Sequence, residues 1–286
     1  MWFDEKVDII IPTWNSMPEL EYCLQSIKDT IPKENRNNII VVDKESEDGT
    51  LDCAKEYGCT IVTDKGTLGS ARLTGLKKAT TKWIIFIDSD IEIDESWYNN
   101  MISITEHLLK TRYSHFGWIY GRTIDNIEPL KSEKFYKMNQ DFKDNPFKII
   151  KERAYTHNTI ALREPLLKAP IEYVNAWEDY LLAEQMRKHG YLVIEVFNEC
   201  KQHRKETYKK NGMYTEAWGQ IGMINVYGIN YKTLLRPFWF PYFGLKNTVH
   251  FNDVEHFFFN LKVCFSIING CIHKNNFDEF KRKVEK

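Results

Sequence analysis

No stretch of this chain reaches the roughly 18 consecutive apolar residues that a membrane-spanning helix requires, so no such span is expected. Positive charge is not in excess either. The 39 Lys and Arg against 40 Asp and Glu leave a net charge of -1, which argues against a nucleic-acid binder. The opening residues, MWFDEKVDIII, lack a basic segment followed by an apolar one, and no secretory leader is expected. None of the cysteines, Cys23, Cys53, Cys59, Cys200, Cys264 and Cys271, belongs to a Cys-x-x-Cys pair. Four of them, Cys23, Cys53, Cys264 and Cys271, fall in helix-like patterns. That predicts reduced core thiols in the cytosol rather than disulfides or a zinc site. Internal repeats and low-complexity linkers are absent too. What remains is 286 residues, 43% of them hydrophobic, enough for one large domain or one and a half with a real core.

The most informative stretch is Trp83–Asp94, WIIFIDSDIEID. Trp83 to Ile87 is a short, continuous apolar run rich in branched residues, which predicts a strand buried on both faces. It stops abruptly at Asp88-Ser89-Asp90. Two carboxylates two residues apart at the end of a buried strand are costly unless something offsets them. A hard divalent cation bridging to phosphate oxygens would do so. A turn would also use these residues, and Asp94 suits a helix cap. This stretch alone does not separate the two readings.

The residues before it are patterned as alternating strands and helices. Strands are predicted at Val7–Ile11, Ile39–Val42 and Cys59–Val62, then at Trp83–Ile87 and His115–Tyr120. Between them, Leu20, Leu24 and Ile27 mark one helix face. Leu51, Ala54 and Tyr57 mark a second, and Ser70–Lys78 forms a short third helix. Trp97, Met101, Ile104 and Leu108 mark a fourth. Ser16 and Glu19 have the spacing of a capping box ahead of the first helix. Short connections of this kind imply βαβ units and a mostly parallel sheet. Parallel strands would align their polar ends along one edge: Pro12-Thr13-Trp14-Asn15, Asp43, Asp64 and Asp88-Ser89-Asp90. Ligands of open α/β sheets bind at that edge. An aromatic ring, several carboxylates and the helix-borne Arg72 there would suit a nucleotide diphosphate with a metal.

IIIPTWN, VVDKESEDGT, GSAR and IDSD, in this order and spacing, resemble the nucleotide-sugar-binding half of family 2 glycosyltransferases. The resemblance covers about the first 125 residues and continues more weakly to about 205. It implies an α/β GT-A (nucleotide-diphospho-sugar transferase) fold: a mostly parallel central sheet flanked by helices, with a C-terminal aromatic-rich helical extension. It also implies a catalytic domain over 1–212, divided into a nucleotide-sugar-binding half (1–125) and an acceptor half (126–212), with the extension at 213–286. One departure stands out. The second motif usually reads Asp-x-Gly-Ser, and Glu45 occupies the glycine place here, which puts the turn geometry in question.

Carried over residue by residue, the resemblance implies nucleotide contacts from Pro12, Thr13, Trp14, Asn15, Asp43, Arg72, Asp88 and Ser89. Trp14 would stack on the base and Asp43 would hydrogen-bond it. Arg72 would reach the base or the phosphates. Asp88 would hold the ribose or a metal-bound water. Asp90 would ligate Mn²⁺ or Mg²⁺, with His203 as a looser candidate. A core aromatic, a turn cap and a solvated helix face are the plain alternatives for Trp14, Asp43 and Arg72.

In the second half, Glu128 to Lys151 has little periodicity and is expected to be a long loop with room for a short helix, and the resemblance implies that it faces the acceptor. Thr159–Arg163 is predicted to return to the sheet. A helix is expected from Asn175 to His189, with Asn175 and Glu178 at cap and third-position spacing. Glu178-Asp179 is also similar to the family's acceptor-site pair, in which the aspartate is the general base. That implies Asp179 as catalytic base, with Glu178 and Trp177 at the acceptor. Leu192–Phe197 should be a further strand. Beyond it, Arg204 and Lys205 are candidate diphosphate contacts in a charge run that would otherwise be a solvated face.

LLRPFWFPYFGL (234–245) and HFFFNLKVCFSIINGCI (256–272) are rich in aromatic and aliphatic residues. Lys262, Ser266 and Asn269 make a narrow polar stripe on the second. Such a helix suits peripheral contact on the inner face of a cell membrane. It suits burial against the catalytic domain, or against a second copy, equally well. A Gln-x-x-Arg-Trp signature of processive synthases is missing, which favours transfer of a single sugar.

The expectation is therefore a metal-dependent, inverting, hexosyltransferase-like enzyme. It would move one sugar from a UDP- or GDP-sugar to an acceptor hydroxyl, on a glycan or lipid-linked molecule. Two alternatives stand beside it. A sugar-1-phosphate nucleotidyltransferase would want a Gly-rich loop with Arg after the first strand, and PTWNSMPEL offers none. A non-catalytic scaffold of a glycan-assembly complex would have no use for both Asp90 and Asp179.

Overall fold

The computed structural model describes residues 3–125, 147–203, 219–224, 226–228, 235–242, 245 and 255–272. The chain divides into two compact units. One comprises Met1–Glu172 with Asp179–Arg204, and the other Tyr173–Glu178 with Lys205–Lys286.

The first unit is built on a nine-stranded sheet. Its strands are β1 (Val7–Thr13), β2 (Arg36–Asp43), β3 (Thr60–Thr63), β4 (Trp83–Ile87), β5 (Ile91–Glu92), β6 (Phe116–Asp125), β7 (Phe147–Ile149), β8 (Asn158–Leu162) and β9 (Leu192–Gln202). The order is β3-β2-β1-β4-β8-β6-β9-β5, with β7 also on β9. β1, β2, β3 and β4 pair in parallel, as the βαβ pattern implies. Beyond β4 the sheet is mixed. β8 enters antiparallel to both β4 and β6, β6 and β9 are parallel, and β5 and β7 run antiparallel to β9. An antiparallel partner can follow without a helical crossover, so the βαβ rhythm ends there.

The helices of this unit are α1 (Glu19–Thr30), α2 (Thr50–Glu56), α3 (Leu68–Lys78), α4 (Glu95–Leu109), the short α5 (Arg163–Leu166) and α6 (Glu178–Lys188), whose first residue belongs to the second unit. The core sits between the helices and the central strands. Ile9, Ile10, Ile11, Ile84, Ile85, Phe86 and Ile87 are buried completely, as are Leu20, Leu24 and Ile27 from α1. Burying each such side chain contributes about 1.5–3 kcal/mol. Asp94 caps α4 by accepting from the Trp97 N–H at 2.8 Å.

Three local expectations change. Ser16 does not cap α1, whose N-terminal flank is Pro18 without a side-chain cap bond. Its hydroxyl accepts from the Trp14 N–H at 3.1 Å and bonds Ser89 Oγ at 3.0 Å. α6 begins at Glu178 rather than Asn175, because Trp177 lies at φ 72°, outside helical space. Glu178 is therefore not the third residue of a capping box. Phe147–Ile149, expected within a loop, is strand β7, and residues 128–146 of that loop lie outside the described residues.

Five of the cysteines are described, and all are unpaired thiols: Cys23, Cys53, Cys200 and Cys264 buried, Cys59 partly so. In the second unit, the Trp177 indole packs against Gly219 so closely that a Cβ there would overlap it. Helix α7 (Glu255–Ile272) packs against the turn Arg236–Phe238. It buries Cys264 and Ile267 but leaves Phe258, Phe265 and Lys262 exposed. The side chains of Ser266 and Asn269, expected to continue the polar stripe, lie outside the described residues. Among the described residues, no helix is long and apolar enough to cross a membrane.

Candidate active site

The parallel register places Thr13, Asp43 and Thr63 side by side at the carboxyl ends of β1, β2 and β3. Side chains then stitch that edge together. Asp43, 1% exposed, accepts from Thr13 Oγ1 at 2.7 Å, from the Ser46 N–H at 2.8 Å and from Ser46 Oγ at 2.6 Å. Glu45, between them in sequence, lies at φ 56°. That is the left-handed conformation a glycine adopts most readily, so the turn is kept without one. Its carboxylate pairs with Lys65 on the surface. Trp14 is 57% exposed at this edge, and Lys44 Nζ stands 5.4 Å from its ring centroid. Asn15 also helps hold the turn, its backbone N–H donating to Ser46 Oγ and its Oδ1 accepting from the Glu47 N–H.

Arg72 comes from α3, which is started by Thr67 accepting from the Ser70 N–H. Its guanidinium is almost wholly buried, 5.4 Å from the Phe86 ring centroid, and donates to Asp88 Oδ1 at 2.7 Å. Asp88 and Asp90 follow β4. The strand end is closed by β5 and by the end of β9, where Ile91 pairs with Gln202. Gln202 Nε2 donates to Asp90 Oδ2 at 3.0 Å, and the His203 N–H donates to the Asp90 carbonyl at 2.7 Å. The His203 ring stacks on Tyr22, with its Nε2 2.7 Å from Glu92 Oε2. Glu92 also accepts from Lys201, and these two partners outweigh its burial and hold its carboxyl below the usual range.

Asp179 is the second residue of α6 and is 4% exposed. Burial pushes its carboxyl above the ordinary carboxylate range. Arg153 opposes that rise by charge and hydrogen bond, its Nε–H lying 3.1 and 2.9 Å from the two carboxylate oxygens. The Tyr180 N–H, at 2.7 Å, and the charge of Arg72 oppose it too. Arg72 thus bonds Asp88 and lends its charge to Asp179. Trp177 and Glu178 are buried in the second unit. Arg204 and Lys205 lie outside the described residues.

Sequence reading missed Arg153, Gln202 and Lys44. Arg153 lies on an aperiodic connection with no motif around it. Lys44 was next to a recognised aspartate and carried no spacing signal of its own.

Among the described residues, no three His, Cys, Asp or Glu side chains cluster to enclose a metal ion. Asp88 and Asp90 are nevertheless hard oxygen donors two residues apart. Mg²⁺ and similar ions commonly take one or two carboxylates and complete their shell with substrate phosphates and water, so this donor set fits.

This curled mixed sheet with flanking helices, its acidic cluster at the strand ends, is the GT-A fold of a glycosyltransferase. The model of the glycosyl transferase family 2 matches residues 8–166, and the chain belongs to that family. It is 36% identical over 107 residues to a poly(ribitol-phosphate) beta-glucosyltransferase of Bacillus spizizenii, covering 33% of this chain and 17% of that protein. It is 31% identical over 182 residues to the poly(ribitol-phosphate) beta-N-acetylglucosaminyltransferase TarS of Staphylococcus aureus, covering 57% of this chain and 30% of that one. The chain thus spans less than a third of the length of either. The structure of S. aureus TarS 1-349 with UDP-GlcNAc superposes with a TM-score of 0.56 at 15% identity, over 77% of this chain and 67% of that one. Glucosyl-3-phosphoglycerate synthase from Mycobacterium tuberculosis, with Mn²⁺, UDP and glucosyl-3-phosphoglycerate, gives 0.53 at 16%, over 79% and 81%.

Proposed function

We propose that this chain is an inverting glycosyltransferase that moves one hexosyl group from a nucleoside-diphosphate sugar to an acceptor hydroxyl. One observation carries the proposal. Asp88 and Asp179, far apart in sequence and on different elements, both feel the charge of Arg72, yet Asp179 has its own partner, Arg153. An in-line displacement needs that separation: one carboxylate set for the leaving diphosphate and another, held apart, for the incoming hydroxyl.

In this reading Asp43 and the exposed Trp14 receive the base, with Pro12, Thr13 and Asn15 shaping the pocket. Arg72, Asp88 and Ser89 hold the ribose and phosphates. Asp90 would hold Mn²⁺ or Mg²⁺, with Asp88 beside it and His203, whose backbone N–H bonds the Asp90 carbonyl, as a looser candidate. The cation, when bound, supplies Lewis-acid neutralisation of the departing diphosphate. Asp179 takes the proton of the acceptor hydroxyl. The freed oxygen forms its bond to the anomeric carbon from the face opposite the diphosphate, and the bond from that carbon to the phosphate oxygen breaks. Glu178 and Trp177 would position the acceptor, and Arg204 and Lys205 would contact the diphosphate. A UDP donor and a phosphate-bearing acceptor are favoured because UDP appears with both solved neighbours and the curated relatives act on poly(ribitol-phosphate).

Peripheral membrane contact belongs to the same proposal. Phe238, Trp239, Tyr242, Phe258 and Phe265 are each more than half exposed in the second unit, as suits aromatic side chains at a lipid headgroup boundary. Vesicle sedimentation would test it.

The deciding experiment measures UDP release from UDP-glucose and UDP-N-acetylglucosamine with Mn²⁺ and a poly(ribitol phosphate) acceptor. Asp179→Asn should bind donor normally and transfer nothing. Full turnover by that variant would refute the base assignment.

A further inference from the structure

Asp179 poses a physical problem that its own helix does not solve. A carboxylate 4% exposed is driven toward its neutral form, because burial strips it of water. A general base has to be ionised before the hydroxyl arrives. Within α6 its side chain accepts from the Tyr180 N–H at 2.7 Å. Arg72 on α3 contributes charge, but its guanidinium is committed to Asp88 at 2.7 Å. A second cation, Arg153 on the connection between β7 and β8, bonds the carboxylate directly.

Arg153 is placed differently from a surface ion-pair partner. Its Nε–H is shared between both oxygens of Asp179, at 3.1 and 2.9 Å, and fixes the plane of the carboxylate as well as its charge. The guanidinium carbon stands 5.3 Å from the centroid of Tyr155, an arrangement that immobilises the cation. Tyr155 in turn packs edge-on against Tyr120 of β6, with centroids 5.9 Å apart, and tilted against His157 at 5.2 Å. A chain of packed rings therefore runs from the sheet to the guanidinium and on to Asp179. Arg153 is also one-third exposed, so water reaches the cation while the carboxylate it serves stays dry.

We infer that Arg153 is a positioning residue for Asp179, holding it as a carboxylate and fixing its plane, with Tyr155 as the platform that keeps the guanidinium in place. The inference rests on the proposed role of Asp179 as base and adds the group that makes that role workable. Both effects depend on arginine chemistry. Lysine keeps the charge but lacks the planar stacking surface, and glutamine keeps a donor but lacks the charge.

The test titrates the Asp179 carboxyl directly, by carbon-13 NMR on the full chain labelled at aspartate, with Asp179→Asn identifying the resonance. No substrate is needed. Arg153→Gln should move the midpoint upward by about one pH unit or more, since a favourable charge within hydrogen-bond distance is removed. Arg153→Lys should return most of that shift. Tyr155→Leu, which leaves every charge in place, should move it in the same direction by less. Where transfer is measurable, the acid limb of kcat/KM should move to higher pH in the same order, while donor affinity stays within about twofold. An unmoved midpoint in folded Arg153→Gln would overturn the inference. If that variant does not fold, an unmoved midpoint in Tyr155→Leu would do the same. Loss of the base reading would look different, because Asp179→Asn would then retain turnover whatever Arg153 does to the midpoint.

Discussion

Arg72 Nη2 donates to Asp88 Oδ1 at 2.7 Å from a side chain that is 1% exposed, while Asp88 itself is 31% exposed. The cation is sealed in the core and the anion faces outward. A buried arginine tolerates this only while a carboxylate or a bound anion balances it. The pairing therefore keeps Arg72 aimed at the strand ends when no diphosphate is there, and the carboxylate's exposed side remains open to solvent. Asp88→Asn should leave the guanidinium with a neutral partner. Breaking a fully buried pair costs about 3–5 kcal/mol, and the exposure of Asp88 reduces that to about 1–3 kcal/mol. Urea unfolding of the variant measures it. Stability equal to wild type would show that Arg72 is balanced by other groups.

The hydrogen bond from Gln202 to Asp90 has a consequence for metal affinity. Asp90 emerges from a turn after β4, and its Oδ2 is held by the last residue of β9, 3.0 Å away. Partners that orient a ligating carboxylate typically change metal affinity by about 10–100-fold when removed. Gln202→Ala should weaken Mn²⁺-dependent UDP binding by about tenfold, and Asp90→Asn should eliminate the Mn²⁺ dependence. Calorimetry with UDP, with and without Mn²⁺, separates the two. Equal UDP affinity with and without Mn²⁺ in the wild-type chain would remove the metal from the proposal.

At the opposite end of β1, Asp8 is fully buried and joins three segments. Burial pushes its carboxyl up. The N–H groups of Thr80 and Thr81 and the side-chain amides of Asn37 and Asn38 outweigh burial and hold it below the usual range. A folded-state pKa below the unfolded one means the folded chain binds fewer protons. The stabilisation is then complete above about pH 4 and is lost as the pH falls through the folded value. Asp8→Asn should destabilise by about 1–3 kcal/mol at pH 7, the range for leaving buried partners mismatched. The gap to wild type should close as the pH drops below about 4. Thermal melts of both chains from pH 7 to pH 3 check the sign, and a gap that widens on acidification would contradict it.

Where the sequence was legible, one physical rule governed both pattern and structure. Trp83–Ile87 reads as a buried strand because continuous apolar runs have few other uses, and all five residues are buried. The same logic locates β1, β2 and β3, and hence the edge at which Asp43, Asp88 and Asp90 end. Legibility failed where contacts join distant segments without a period. Nothing around Arg153 announces that it meets Asp179, 26 residues on, and nothing marks Gln202 as the partner of Asp90, 112 residues away. Ser16 shows a related failure. Its spacing to Glu19 fits a capping box, yet the Trp14 N–H and Ser89 claim its hydroxyl. Local propensity is a weak prior when tertiary partners compete for the same atom.

Gly75 illustrates how the sheet fixes the helix that carries Arg72. It lies in the middle of α3, where alanine would ordinarily stabilise a helix by about 1 kcal/mol. A Cβ at this position would overlap Cγ2 of Ile10, and it would stand 3.3 Å from Cγ2 of Val42. Both are buried in adjoining parallel strands, with Ile10 fully enclosed. Neither methyl has an open side into which to turn. Overpacking of a dense core costs about 1–3 kcal/mol, which exceeds the helical gain. Gly75→Ala should therefore lower stability by about 1–2 kcal/mol rather than raise it. Relief of the overlap would push α3 away from β1 and β2, and Arg72, one turn earlier on the same helix, would move with it. UDP affinity should fall together with stability. Ile10→Ala removes the overlapped Cγ2 and should recover part of the lost UDP affinity in the double variant. If Gly75→Ala is more stable than wild type, then α3 rides on the sheet more loosely than its packing indicates.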